Sequence, residues 1–345
     1  MSIVYLLGAG ASANALPLAA DIPSRLNVFL DFLVILRSFN EDVLRRQFLQ
    51  KTIESQDSYN KLWSALPFGS PSSSEADDFI SDLEKLIRLL VQKKSKTIDT
   101  FAKELWLRGE FGRSLFPYQR LKAIFRSYMI FEESLSGSEI ITNLGNKASS
   151  FRPETSKLFK DEKFKNKERI DQRYINFLLD IADGNLSKIQ ILSWNYDEQI
   201  KEAAKSISMH TGHTPIATLL QREIKINGSI AHQEIGFSWE NNVVDAFQQC
   251  NFTDTKHIII IGYSLPFSNR KIDQLIFKMI ASSSKEPNIV VTIQTLEDDF
   301  KIQRQALESI IESIQNHPFP PEKGNRFRFN FQSAKSNSFF IPYDY

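Results

Sequence analysis

The stretch Ile3-Val4-Tyr5-Leu6-Leu7-Gly8-Ala9-Gly10-Ala11-Ser12 decides how the chain is read. Five apolar residues run directly into a turn of small ones. A run this short, bounded by glycine, fits a central strand of a parallel sheet, buried on both faces. Three further stretches have the same character: Lys188-Ile189-Gln190-Ile191-Leu192-Ser193, Ile258-Ile259-Ile260-Ile261 ahead of Gly262, and Ile289-Val290-Val291-Thr292-Ile293. All are rich in β-branched residues and too short for buried helices.

About 175 residues separate the first two of these strands, and they read mostly as helix. Phe79, Ile80, Leu83, Leu86, Ile87 and Leu90 recur at helical spacing and predict a helix over 74–91. Ser74 and Asp77 are placed to open it as a capping box with Asp in the usual Glu position. Leu121, Ile124, Phe125, Tyr128 and Met129 predict another over 118–135, and a third spans 169–182. Gly69-Ser70-Pro71-Ser72-Ser73 reads as a loop, and 149–167 as irregular and strongly charged. Ordinary strand-to-helix connections are only a few residues long, so this excess must build its own layer. The expected fold class is α/β: a Rossmann-like parallel sheet with helices on both faces, its core spanning 1–295 and interrupted by a large helical insertion at about 26–185. Residues 296–315 predict a further helix, stopped by Pro318-Phe319-Pro320-Pro321. Arg326-Phe327-Arg328-Phe329-Asn330-Phe331 alternates as a strand with one apolar face does. Residues 296–345 therefore read as a C-terminal helix and tail strand that pack on the core, as a sheet edge, or on a partner.

Composition excludes several function classes. Of 345 residues, 42% are apolar and 24% charged, as in ordinary folded domains. The 27 phenylalanines suit a well-packed core or an added partner surface. A net charge of +1 gives no global electrostatic drive toward nucleic acid. With Cys250 alone, neither an internal disulfide nor a cysteine-rich zinc site can form. His210 and His213 flank a glycine but lack a clear third ligand, so no metal is expected. No stretch approaches the roughly 20 apolar residues that cross a bilayer, and no leader is recognised. A cytoplasmic location and no membrane association are the expectation.

Three segments carry chemistry. At Gly8-Ala9-Gly10-Ala11-Ser12, glycines let backbone approach a pyrophosphate closely. In Trp194-Asn195-Tyr196-Asp197, an Asn and an Asp two apart on a strand end would point to one side; both also start helices well. After the Ile258–Ile261 run come Gly262-Tyr263-Ser264-Leu265-Pro266 and then Asp273. Gly262 and Ser264 fit a phosphate or ribose. Asp273 fits a ribose hydroxyl or the first turn of a helix.

In that order, each after a strand, these segments resemble the sirtuin-like superfamily, and within it the SIR2-like NAD hydrolases of bacterial anti-phage defence. The resemblance covers roughly residues 1–25 and 186–295. Gly8-Ala9-Gly10-Ala11-Ser12 matches the family's first NAD-binding turn. Asn195-Tyr196-Asp197 matches its Asn-Tyr-Asp motif, whose Asn is catalytic. Gly262-Tyr263-Ser264-Leu265 matches a turn near the adenosine half of the cofactor. The implied activity is cleavage of NAD, as substrate, to nicotinamide and ADP-ribose. The implied setting is an oligomer controlled by a second protein subunit or a ligand.

The chain departs from protein-deacetylating sirtuins in lacking their four-cysteine zinc module and their Gly-Ile-Pro-Asp-Phe-Arg segment; Ala13-Asn14-Ala15-Leu16-Pro17 stands there instead. Both departures resemble the defence branch. The family's Leu-His-Gly-Ser segment corresponds here to Lys225-Ile226-Asn227-Gly228-Ser229. Asn227, in place of the usual catalytic His, does not titrate but can orient a ribose or a water. His232 lies close by in sequence. The expected catalytic residues are Asn195, Asp197 and Asn227; the expected cofactor contacts are Gly8, Ala9, Gly10, Ala11, Ser12, Gly262, Tyr263, Ser264 and Asp273. The alternative is a non-catalytic subunit that binds NAD or ADP-ribose as a ligand. A hydride-transfer enzyme fits less well, since the third glycine of the dinucleotide fingerprint is missing.

Overall fold

The computed structural model describes residues 2–18, 20–53, 55–68, 73–92, 98–110, 117–145, 151–182, 188–211, 223–228, 235–237, 240, 247, 250–266, 269–286, 288–295, 297–315, 328–334 and 338–342. The Gly69–Ser72 part of the expected loop, His213, Ser229, His232, Pro318 to Pro321, Arg326 and Phe327 lie outside the described residues, as does the side chain of His210.

The chain forms two compact units. The first comprises Met1–Ala11, Asp171–Ser229 and Gly236–Tyr345, and it holds the sheet. Its strands are β1 (Ser2–Leu7), β2 (Ile189–Ser193), β3 (Glu223–Lys225), β4 (Thr255–Ile261), β5 (Asn288–Gln294) and β6 (Arg328–Ala334). All neighbours pair in parallel, in the order β3-β2-β1-β4-β5-β6. This is the order of doubly wound, Rossmann-like sheets, with the direction of winding reversing between β1 and β4. The four apolar runs read from the sequence are β1, β2, β4 and β5. The tail strand is β6, an edge strand beside β5, so the tail packs on the core.

Alternation along these strands feeds two apolar layers. Val4, Leu6, Ile258, Ile260, Val291 and Ile293 share one face with Phe277 and Ile280 of the helix Arg270–Ser283 and Leu307 and Ile310 of the helix Glu297–Gln315. On the other face Tyr5 meets Phe177 of the helix Gln172–Ala182 edge-on, with ring centroids 5.0 Å apart. The helix Gln199–Thr211 packs beside Gln172–Ala182. The central strands are thus covered on both faces.

The second unit comprises Ser12–Ile170 and Ile230–Ile235. It contains α1 (Ile22–Ser38), α2 (Asp42–Thr52), α3 (Gln56–Ala65), α4 (Ser73–Gln92), α5 (Ile98–Glu110), α6 (Tyr118–Ser134), α7 (Gly137–Gly145), α8 (Pro153–Leu158) and α9 (Glu162–Lys165). The sheet unit then continues the numbering with α10 (Gln172–Ala182), α11 (Gln199–Thr211), α12 (Arg270–Ser283) and α13 (Glu297–Gln315). The helices read at 74–91 and 118–135 are α4 and α6. The unit differs at both ends from the span of about 26–185: it begins at Ser12, and α10 belongs to the sheet because Phe177 packs on Tyr5. The charged segment 149–167 holds the short helices α8 and α9. Part of the phenylalanine excess lies in this unit's core, where Phe131 meets Phe29 at 5.1 Å and Phe32 at 4.9 Å between centroids. Beside it, Arg25 is paired with Glu132, and Lys167 donates to the carbonyls of Glu132 and Leu135 at the end of α6. These are buried charges with partners, as burial requires.

Register fixes what stands at the carboxyl edge of the sheet. Lys225 pairs with Ser193, Ser193 with Leu7, Leu7 with Ile261, Ile261 with Gln294 and Gln294 with Ala334. The six strands end in one row. The segments leaving β3, β2, β1 and β4 therefore emerge side by side. Beyond the row β1 and β4 stay in contact: the Gly8 amide donates to the Ile261 carbonyl at 3.0 Å and the Gly10 amide to the Gly262 carbonyl at 2.9 Å. A Cβ on Gly8 would stand 2.5 Å from the Tyr263 Cα. Gly262 has φ +59°, and a Cβ there would overlap both the Ala11 nitrogen and the Gly10 carbonyl carbon. Gly262→Ala is expected to lower the urea midpoint of unfolding, with a loss of unfolding free energy above the ~1–2 kcal/mol left-handed cost alone, since backbone must also separate. An unchanged midpoint would contradict the close packing of the two turns.

Candidate functional site

The site is built from the segments that leave the strands of that row. After β1, Ala9–Ser12 forms a single 3-10 turn, with the Ala11 amide bonded back to the Gly8 carbonyl at 2.8 Å. Arg173 of α10 donates through Nη2 to the Gly10 carbonyl at 3.3 Å and the Ala11 carbonyl at 3.1 Å, while paired with Asp171 at 2.6 Å. A cation at the carbonyl end of a turn is favourably placed. Ser12 is buried, its carbonyl accepting from the amides of Ala15 and Leu16, and it opens the helical unit.

β2 stops at Ser193, so Trp194-Asn195-Tyr196-Asp197 lies beyond the strand. The alternation that would put Asn195 and Asp197 on one side of a strand end therefore does not govern them. Asp197 Oδ1 accepts from the Gln199 amide at 3.1 Å, the local bond by which an Asp opens a helix, here α11. Asp197 thus makes the contact of a helix start. Asn195 is buried, its main-chain amide donating to Ser193 Oγ at 3.2 Å. Trp194 is tied to the neighbouring strand by its own amide, which donates to the Leu7 carbonyl at 2.8 Å. Its ring stacks on Tyr263, centroids 5.1 Å apart and planes 15° from parallel.

Past β3, Asn227 is buried and its Nδ2 donates to the Trp194 carbonyl at 2.8 Å. Asn227 therefore holds the main chain next to Asn195. Lys225, the last residue of β3, is not a candidate on sequence grounds. Its Nζ donates to the Asp197 carbonyl and pairs with Glu223 at 2.7 Å. Burial would push this ammonium toward neutrality, but the carboxylates of Glu223, Asp197 and Glu198 outweigh it and raise its pKa above the usual lysine value. The Lys225 side chain, favoured in its charged form by these carboxylates, thus underlies the Asn195–Asp197 segment.

After β4 the turn Gly262–Pro266 is tight: Gly262 has φ +59° and Leu265, a non-glycine, φ +52°. At Leu265, which has a side chain, this conformation costs about 1–3 kcal/mol, and strain of that kind concentrates at binding sites. Ser264 is exposed and Tyr263 buried. The Tyr263 hydroxyl donates to the Asp273 carboxyl, 2.9 and 3.1 Å from its two oxygens, and accepts from Asn269 Nδ2 at 3.2 Å. Asp273 lies in the first turn of α12, and the group it meets is this phenol. Burial pushes the Asp273 carboxyl up to about 8, against the opposing pull of the Tyr263 hydrogen bond and Arg270.

The structure therefore joins Gly8, Gly10, Gly262, Tyr263, Trp194 and Asn227 by successive direct contacts, with Asn195 and Asp197 carried on the Trp194 segment. Lys225 and Arg173 are contributors that the sequence alone does not single out, and Trp194 stands in a quoted segment without a role of its own. The only local sign of Lys225 is a cation two residues before Asn227; nothing local to Arg173 signals its reach across 162 and 163 residues to the β1 turn. Among the described residues there is no group of three or more His, Cys, Asp or Glu placed to hold a metal, and no helix long and apolar enough to cross a membrane. No family model, no curated protein and no solved structure matches the chain.

A carboxyl whose folded pKa lies above its unfolded value near 3.9 binds more protons folded than unfolded between those limits. Its neutral form contributes fully at low pH, and that contribution is lost as pH rises through about 8. Asp273→Asn keeps a neutral acceptor for Tyr263. Between pH 5 and pH 8.5 the thermal midpoint of the wild type is expected to fall relative to that of the variant. Parallel curves would contradict a neutral, buried Asp273.

Proposed function

We propose that the chain is an NAD glycohydrolase: water and NAD give nicotinamide, ADP-ribose and a proton. One observation carries the reading. Two glycine turns, packed backbone to backbone, flank the point where the winding of the sheet reverses, and the Asn195-Tyr196-Asp197 segment leaves the strand next to them. In open parallel sheets, ligands sit outside the carboxyl ends of the strands at that reversal. The three motifs that resemble SIR2-like NAD hydrolases all leave the sheet from this row of strand ends.

Departure of nicotinamide needs little acid or base help, because the leaving group is already a good one. The demands are to hold the ribose and to stabilise its positive charge as the bond breaks. Asn195 would orient the ribose or the attacking water through its amide. Asp197 would add negative charge above the Lys225 ammonium and fix the start of α11. Asn227 would hold the Trp194–Asn195 main chain in place. None of these tasks requires a titrating histidine. Unrestrained turnover would drain a cell of NAD, which supports the further proposal of a regulated, oligomeric effector of anti-phage defence, switched on by a partner subunit or ligand.

A second reading has an observation of its own. The Asn227 amide is engaged with a backbone carbonyl, and Asp197 with a helix start, as in a site that binds without reacting. The chain would then be a non-catalytic NAD or ADP-ribose-binding subunit. Nicotinamide release from NAD separates the two, assayed for the purified chain alone and with the products of neighbouring genes. Release by the wild type, reduced about 100-fold or more in Asn195→Ala, is expected for the hydrolase. Equal rates would remove Asn195 from the reaction, and binding without release under every condition would establish the subunit reading.

A further inference from the structure

Trp194 directly follows β2 and is 4% exposed, yet its indole Nε1 has no hydrogen-bond partner among the described residues. Its main chain is fully engaged: the amide donates to Leu7, and the carbonyl accepts from Asn227. Its ring lies in the apolar cluster with Leu6, Leu192 and Ile226, whose side chains offer no acceptor. Against it stacks Tyr263, whose hydroxyl is already committed to Asp273 and Asn269. A buried N–H without an acceptor is destabilising, and phenylalanine would fill such a place without that cost. The orphan is also not remote from the chemistry. Trp194 directly precedes Asn195, and the backbone of its stacking partner lies against Gly8.

We infer that the Trp194 indole N–H is a ligand-binding donor, completed by an acceptor atom in the ADP-ribose portion of the bound dinucleotide. This rests on the nucleotide-binding reading of the same site. An indole N–H donates and never accepts, so it recognises an oxygen or ring-nitrogen lone pair and gains nothing from a donor group. Its bond to the ligand would replace the unmet hydrogen bond of the free protein, making it a determinant of affinity as well as of pose.

The test uses the full chain with its four tryptophans labelled with 15N at the indole, titrated with ADP-ribose, which is not turned over. The Trp194 resonance is assigned with Trp194→Phe or, should that variant not fold, by elimination with Trp63→Phe, Trp106→Phe and Trp239→Phe. The expected result is a downfield shift of the Trp194 indole proton at saturation, larger than for the other three. Calorimetry with Trp194→Phe is expected to show about tenfold weaker ADP-ribose binding, the worth of one such hydrogen bond. ADP-ribose bound with the Trp194 resonance unmoved, or with full affinity in Trp194→Phe, would overturn the inference and leave the nucleotide site standing. Absence of ADP-ribose binding to the wild type would remove both.

Discussion

Two backbone hydrogen bonds beyond the strand ends, Gly8 to Ile261 and Gly10 to Gly262, are the constraint on which the rest of the site depends. They hold the two innermost strands together past the point where a sheet normally splays into its loops. Contact this close is open only to residues without side chains: a methyl group at either Gly8 or Gly262 would run into main chain. Everything else is attached to this seam. Tyr263 leaves it from the β4 side, Trp194 stacks on Tyr263, and Asn227 holds the Trp194 carbonyl. Arg173 fastens the β1 side through two carbonyls.

The polar groups at this edge are mostly buried and mostly spoken for, which says something about the chemistry they can support. A buried side chain whose hydrogen bonds are made in the free protein needs no reorganisation when a ligand arrives. Asn227, Asp197 and Lys225 form such a scaffold around Asn195, with Lys225 kept charged by three carboxylates. An arrangement of fixed dipoles suits a reaction limited by holding and polarising a sugar.

Much of the sheet is legible in the sequence because its signal is local. Four β-branched runs between breakers mark β1, β2, β4 and β5, and strict alternation marks the edge strand β6. Helices α4 and α6 follow from apolar spacing. β3 escapes notice for a physical reason: at three residues, with Glu223 and Lys225 flanking Ile224, it is too short to show a period. The three motifs are legible as motifs, but their convergence is not. That depends on Lys225, Ser193, Leu7 and Ile261 sharing one row, a matter of register between strands far apart along the chain. Asp197 shows the limit of local reading from the other side. An Asp before a helix fits a ligand site and a helix start equally well in sequence, and only the structure shows that Asp197 bonds the Gln199 amide.

The claim that the β1 turn, the segment after β2 and the β4 turn serve one ligand is tested most directly by amide hydrogen exchange with and without NAD. Peptides covering residues 8–12, 194–197 and 262–264 should become protected together, at the same NAD concentration, with little change along β6. Protection confined to one of the three segments, or lying wholly elsewhere, would contradict it.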